Sequence, residues 1–569
     1  MKVSSASLRR VVASGLIFAF TILPLPSAMA QGTATASEGI SPLPDSPIEK
    51  AQKDGTALPL SLTEYTKMVL QNNLDIAISD TNEENRRLSL ATAHTTYDPT
   101  LSATASTGSR RSVSNQATDS TGAGGSINKS DSINWNFQFR KQFSFAGGSL
   151  NSSLQTNRNN NNNINTIFNP SYGSSLQVSY TQPLLRNLRI DSNRNQIRLA
   201  NLDIEQNEVQ FKQSVTTQIA NAQSRYWDLV SAIRNYDIQR KSVELAQINL
   251  RDQQKRLEVG TVPPIDVTTA RATVTQRELN VISADDQILQ AQNNLRTLVS
   301  SDRNSDIWKK VIVPTDQPDF REYKIDSDTA VAIALQNRPE IEQSRISVTR
   351  LNMQNQVNLE NRKWGVDLTA SFTASGTAGP QGCFTQFGVC QHDSAGNEIP
   401  AIKPGMVGGI PTVYKTIFTD PGTNWQISVN VSVPLWNRRT DIQIAQNEIS
   451  KRQELMRRRQ TEQNIQVEVL NALQSLESSR RQVDAAEVSR KVAEEQLDGE
   501  VKRNEAGLSQ NYRVLEVQQQ LSNQEYSELQ ALIRYKQAII TLQRVMYNLL
   551  EASDFSVAKG SSLNIPTLY

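Results

Sequence analysis

The chain has 569 residues and a net charge of +2, with 59 Lys and Arg set against 57 Asp and Glu. That balance leaves no basic footprint for nucleic acid and reads as solvated helix faces. Aromatics make up only 6% of the residues, thin for several compact cores, so the length points to an elongated chain.

The N-terminus reads as a targeting segment. Lys2, Arg9 and Arg10 precede an apolar run at 11–26, and Ala28-Met29-Ala30 forms an A-x-A cleavage site. A signal peptide over 1–30 is expected, with Gln31 as the mature start and a flexible segment over 31–58. The apolar run is too short for a typical spanning helix, and no later run is longer. Any membrane insertion must therefore be β, because only a closed barrel otherwise satisfies the backbone in lipid.

A short helix over 62–73 and a second through 94 come next. The period then changes to two. PTLSATAS (99–106), SINWNFQFR (132–140) and LQVSYTQ (176–182) alternate apolar with polar residues, as do VDLTASFTA (366–374) and NWQISVNVSV (424–433) later on. One apolar and one polar face is the strand signature of a barrel with lipid outside and water inside. A half-buried soluble sheet alternates identically. Strands of roughly bilayer-crossing length between very polar loops, such as 111–131 and the Asn run 159–163, favour the barrel. The segment 132–156 looks like an additional hairpin with Gly147-Gly148 at its turn.

No Gly or Pro interrupts 184–259, 265–313, 436–498 or 508–559. About 70 helical residues would make a rod of about 100 Å. Leu532, Tyr535, Ile539, Leu542, Met546 and Leu549 form an a/d seam, so these helices pack as coiled coils. The long helices are expected to turn at Gly260 and Gly507 and to return through about 300 and about 551.

The plan occurs twice. VLQNNLDI at 69–76 returns as ALQNRPEI at 334–341, where Pro339 opens a helix. RLEVGTVPPIDV (256–267) matches RNEAGLSQNYRV (503–514), and TQPLL (181–185) matches SVPLW (432–436). The chain is thus a tandem duplication. The repeats are expected over 59–324 (strands about 97–182, helices about 188–300) and 325–552 (strands about 365–433, helices about 438–551), with a tail at 553–569.

In this order and spacing, LSLTE…LQNN (60–73), QPLLR (182–186), YWDLV (226–230), RLEVGTVPPIDV, VPLWNRR (433–439) and LDGEVKRNEAG (497–507) resemble the TolC-type outer-membrane factor family. The resemblance covers essentially the whole mature chain. It implies a mainly α fold with transmembrane β: a duplicated helix–strand–strand–helix protomer of a homotrimer. Three chains would build a twelve-stranded barrel in the outer membrane, four strands each, above a long α-helical periplasmic tunnel. The implied function is a passive exit duct of a tripartite efflux pump or type I secretion system. Its partners would be outer-membrane lipid, a periplasmic membrane-fusion adaptor and an inner-membrane transporter. The alternative is a periplasmic coiled-coil adaptor. The extra hairpin departs from the family; it either adds strands to the barrel or extends beside it above the membrane, and the four-strand count is preferred.

No catalytic constellation, phosphate loop or metal-spaced set appears, and the two histidines, His94 and His392, are nearly 300 residues apart. No enzyme activity, cofactor or resident metal is expected. The resemblance makes Asp498 the candidate for a ring of carboxylates at the periplasmic aperture, with Glu494, Glu495 and Glu500 as neighbours. Such a ring favours cations. It also makes the Gly260 and Gly507 turns candidate docking points for an adaptor. Cys383 and Cys390, six residues intervening, are candidates for a loop disulfide in an oxidising compartment. Arg513 stands where the first repeat has Asp266.

Overall fold

A computed structural model describes residues 46–113, 127–162, 166–382, 385–386, 389–397, 399 and 403–552. The expected signal peptide, the C-terminal tail and Cys383 lie outside the described residues. The first repeat comprises α1 (Pro47–Lys53), β1 (Ala57–Leu60), α2 (Leu62–Asn72) and α3 (Leu74–His94), then β2 (Thr100–Val113), β3 (Ile127–Gln142), β4 (Ser149–Asn161) and β5 (Ser171–Pro183), then α4 (Ser192–Glu258) and α5 (Pro264–Val299). β6 (Val311–Pro314) ends that first half, and the second comprises α6 (Ser327–Asn337), α7 (Pro339–Asn361), β7 (Gly365–Ala378), the two-residue strands β8 (Thr385–Gln386) and β9 (Val389–Cys390), α8 (Ile410–Thr419), β10 (Gly422–Ser432), α9 (Arg438–Glu505), α10 (Asn511–Met546) and α11 (Leu549–Ala552).

The duplication is carried into the backbone. α4 and α9 have 67 and 68 residues, and α5 and α10 have 36 each. The repeated VLQNNLDI and ALQNRPEI phrases form the same kink, with Asn73 at φ −69, ψ 125 and Arg338 at φ −64, ψ 128. The two halves cap the following helix differently. Asn73 Oδ1 accepts from Asp75 N and Ile76 N at 3.0 and 3.2 Å. The second half places Pro339 at the first helical position, where the missing N–H costs nothing.

Three expected boundaries shift, each for a visible reason. Residues 46–58, expected to be flexible, carry α1, with a Ser46–Glu49 capping box, and the start of β1. α4 begins at Ser192 rather than near 188, because Asp191 accepts from Arg194 N at 2.7 Å and Asn187 adopts a left-handed φ of 66. α10 stops at Met546, where Tyr547 is left-handed at φ 59 and separates it from α11.

The seam read from α10 is the core of the second coiled coil. Leu549 is buried in α11, beyond the end of α10, while Tyr535, Leu542 and Met546 are buried in one cluster against which Leu532 and Ile539 pack. They meet Ile465, Val469, Ala472, Leu476, Val483 and Ala486 of α9, an alanine-containing stripe that lets the helices approach closely. Each fully buried large side chain here is worth about 1.5–3 kcal/mol. The two coiled coils touch through α4 and α10. Asn249 and Asn511 exchange side-chain hydrogen bonds at 2.6 and 3.0 Å, and Gln537 Nε2 donates to Asp228 Oδ1 at 2.8 Å.

Beside the middle of the rods, β1 and β6 pair in parallel, Ala57 to Val311 through Leu60 to Pro314. Gln292 of α5 serves this ribbon like a further strand, donating to Ile312 O at 2.5 Å and accepting from Ile312 N at 3.0 Å. The buried Tyr226 hydroxyl lies 2.7 Å from Asp316 Oδ2 and 3.0 Å from Leu60 O, tying the ribbon and the inter-repeat segment to α4.

Burial raises the tyrosines of this framework, Tyr65 and Tyr226 strongly and Tyr547 from 10.0 to about 12. The fold thus favours the neutral phenol. Its contribution is fully present below the unfolded value and is lost as pH rises through the folded one. Stability is therefore expected to fall between pH 10 and about 12 for the Tyr547 share. Denaturant midpoints measured across that range should fall together with tyrosinate absorbance; a flat midpoint would contradict the assignment.

Six strands form one antiparallel sheet in the order β10-β7-β5-β4-β3-β2. This corrects the four-strand count. The extra hairpin is β3–β4, and it lies inside the sheet between β2 and β5. Its register makes it full height: Thr100 faces Arg140, and Ser149 faces Thr181. Its turn, with Ala146 at φ 54 and Gly147 at φ 70, returns to the entry of α4. There Gln182 Nε2 donates to Ala146 O at 2.8 Å, and a Cβ on Gly147 would lie 2.9 Å from Asn187 O.

Candidate channel wall and periplasmic tips

The register sorts the sheet into two faces. Trp425, Ile427, Val429 and Val431 of β10 lie opposite Phe372, Ala370, Leu368 and Val366 of β7. Val178 pairs with Phe372, Leu154 with Leu176 and Phe137 with Leu154, which continues the apolar face across β5, β4 and β3. The opposite face carries Asn430, Ser428, Thr369, Ser371, Ser179, Gln177, Asn151, Gln155, Asn136 and Gln138. Two of its amides, Gln138 and Asn151, lie within hydrogen-bonding distance at 3.1 Å. One face is thus suited to lipid and the other to water. No helix among the described residues is long and apolar enough to cross a membrane.

Both ends of the sheet order are free. β2 and β10 each pair on one side only, so each leaves a row of backbone donors and acceptors open. In lipid those groups must find partners, and the described residues of one chain supply none.

The long helices emerge from one end of this sheet and finish at two matching turns. Gly260 and Gly507 have φ 74 and 73. Thr261 N donates to Arg256 O at 2.9 Å, and Leu508 N donates to Arg503 O at 2.8 Å, the six-to-one bond of a Schellman cap. A Cβ on either glycine would touch nothing within 4 Å, so the left-handed backbone alone selects glycine. Beside the turns Val259, Ile265, Leu508 and Tyr512 are exposed. Sequence reading named the glycines and missed these apolar neighbours. The available signal was their position next to a turn.

The acidic candidates separate. Asp498 is exposed, and its Oδ2 lies 2.5 Å from Lys502 Nζ one turn on. That carboxylate holds the Lys502 ammonium above its usual value. Glu494 pairs with Arg490 at 3.0 Å, and Glu495 is exposed. Glu500 is tucked inward, accepting from the Ser509 hydroxyl and lying 3.8 Å from Arg503. Glu500 therefore braces the turn, whereas Asp498 and Glu495 stand free of it. Arg513 pairs with Glu516 at 2.6 Å.

Further along α9, Glu477 accepts from both Arg480 and Arg481 at 3.0 Å. Those hydrogen bonds hold its carboxyl down at about 2. The stabilisation is present above the ordinary carboxylate value and is lost only as pH falls through about 2. An NMR titration should find Glu477 charged through the mildly acidic range, and a midpoint near 4.5 would break this pairing.

The histidines are separated by the height of the sheet. His94 ends α3 at the helical end, and His392 lies in the segment joining β7 to β10 at the other. Among the described residues no three His, Cys, Asp or Glu side chains group as a metal site. The Cys383–Cys390 pairing falls partly outside the described residues.

Residues 147–301 and 330–546 match the outer membrane efflux protein family. The chain belongs to that family. The first match starts at Gly147, so β2 and β3 precede it. The fold is similar to the CmeC outer membrane channel of Campylobacter jejuni, with TM-score 0.58 and 17% identity over 86% of each chain. It is also similar to the outer membrane protein VceC of Vibrio cholerae, with TM-score 0.55 and 14% identity over 85% of this chain and 95% of that one. The open MtrE channel of Neisseria gonorrhoeae gives 0.54 and 14% over 86% and 89%. No curated protein matches the chain in sequence.

This outer membrane efflux protein therefore has the fold that the resemblance implied: a protomer of a trimeric β-barrel continued by a long coiled-coil α-helical tunnel in the periplasm. It is an outer-membrane exit duct, and the adaptor reading falls away. The family is one of channels rather than enzymes, and its trimers work with an adaptor and an inner-membrane pump.

Proposed function

We propose that three copies of this chain close a passive duct from periplasm to exterior, without catalysis of its own and energised by an inner-membrane transporter. The observation that carries the reading is the pair of unpaired edges on an amphipathic sheet. β10 runs towards the helices and β2 runs away from them, so β10 of one copy meets β2 of the next antiparallel. Closure then preserves the alternation around the ring. Three six-stranded sheets make an eighteen-stranded barrel. Since diameter grows roughly linearly with strand number, such a barrel is about half as wide again as a twelve-stranded one.

Each copy lines the duct with two repeats, 59–324 and 325–552, whose turns at Gly260 and Gly507 meet the hairpin of a membrane-fusion adaptor. Val259, Ile265, Leu508 and Tyr512 supply exposed apolar surface there. Asp498, with Glu494 and Glu495 nearby, forms the acidic ring of the closed aperture, and Lys502 tempers it from the same helix.

Planar-bilayer recordings test this aperture. Asp498→Asn is expected to lower cation preference and sensitivity to multivalent cations while the trimer still assembles. Lys502→Gln removes the tempering charge and is expected to raise both. Unchanged recordings for both variants would place the gate elsewhere.

A further inference from the structure

α8 lies within the long segment joining β7 to β10, at the end of the sheet farthest from the coiled coils. It rests on the apolar face. Thr156, Ser174 and Gly376 face one another across β4, β5 and β7, in the residue alternation that also carries Val178, Phe372 and Trp425. A Cβ on Gly376 would come within 2.8 Å of Val413 O, so the missing side chain is what lets the helix approach. Ala374 and Ala378 are buried in the same alternation. The Tyr414 hydroxyl is 3.0 Å from Thr156 Oγ1, and Val413, Thr416 and Ile417 are buried beneath the helix. The barrel thus changes from bulky to small residues where α8 sits.

Among the described residues nothing covers the outer side of α8. Pro411, Lys415, Phe418 and Thr419 recur at helical spacing and are exposed, Phe418 at 78%. β5 and β7, which hold the helix, are inner strands and not the edges at which neighbouring copies join. The face is continuous below with the lipid-facing rows of Phe372 and Trp425. A phenylalanine beside an exposed lysine on a short amphipathic helix is the composition of an interfacial helix, ring towards acyl chains and ammonium towards anionic headgroups.

We infer that α8 is an interfacial collar helix: it lies in the outer boundary of the bilayer, and the partner of its exposed face is lipid, with Phe418 in the acyl region and Lys415 at headgroup phosphates. The inference rests on the barrel reading above, and the test separates the two. Wild-type protein and the Phe418→Trp variant are reconstituted as full chains in vesicles of phosphatidylethanolamine and phosphatidylglycerol, with and without bromine on the acyl chains. Trp425 and Trp135 stand on the apolar face and report barrel insertion by their own quenching. The added indole is expected to lose most of its emission in brominated vesicles. Wild-type quenching without quenching of the added indole overturns the collar and leaves the barrel standing. A blue-shifted but unquenched indole means protein covers the face, and a water-like one means nothing does; either result overturns the inference. Absence of wild-type quenching overturns the barrel reading as well as the collar.

Discussion

Val429→Arg is expected to remove the protein from the outer membrane as an assembled channel. Val429 is central in β10, faces Leu368 on the apolar side and is 57% exposed in the single chain. An arginine on the lipid face near the bilayer midplane costs about 2–4 kcal/mol, and threefold assembly repeats that cost in each copy. The neighbouring Ser428→Arg places the same charge on the polar face against water and is expected to assemble normally. Outer-membrane fractionation with a gel assay for oligomer reads both variants. Equal loss in both, or assembly of Val429→Arg, would mean that the faces are assigned wrongly.

Tyr226→Ala is expected to have the largest effect on the periplasmic part. Tyr226 is fully buried, its ring centroid lies 5.9 Å from that of Tyr65, and its hydroxyl holds Asp316 and Leu60 O. Truncating a buried aromatic costs about 3–5 kcal/mol through lost transfer energy and the cavity left behind. Tyr226→Phe keeps the ring and loses the hydroxyl's hydrogen bonds, while Asp316 Oδ2 still accepts from Leu62 N at 2.7 Å, so the cost is about 0.5–1.5 kcal/mol. Denaturant midpoints should rank wild type above Tyr226→Phe above Tyr226→Ala. Equal midpoints for the two variants would shift the weight from the ring to the hydroxyl.

Much of this was readable from residues because the signals are long or repeated. Helices free of Gly and Pro for tens of residues, and turn phrases spelled twice, do not arise from local accidents. The Asn73 and Arg338 kinks coincide in backbone angles although their capping chemistry differs, which is why the repeated phrase identified the turn.

What escaped has physical causes. Alternation in β3 and β4 reads the same whether the hairpin stands in the barrel or above it. Only the register, with the hairpin turn brought down to Asn187 and Gln182, decides. α8 has ten residues, too few for a helical period to emerge from a Gly- and Pro-rich segment, and its defining partner is the absent side chain of Gly376. The inward position of Glu500 depends on Ser509 across the turn, a contact that spacing does not report. The aperture is a different case, since a carboxylate ring belongs to three chains and no single sequence contains it.

The most direct test is a single-particle reconstruction of the full-length protein in a lipid nanodisc. Three copies around one axis are expected, β10 of each paired antiparallel with β2 of the next. Eighteen strands would close a barrel continuous with the helical tunnel. A barrel of twelve strands with β3 and β4 folded away, or a closed sheet within one copy, would contradict it.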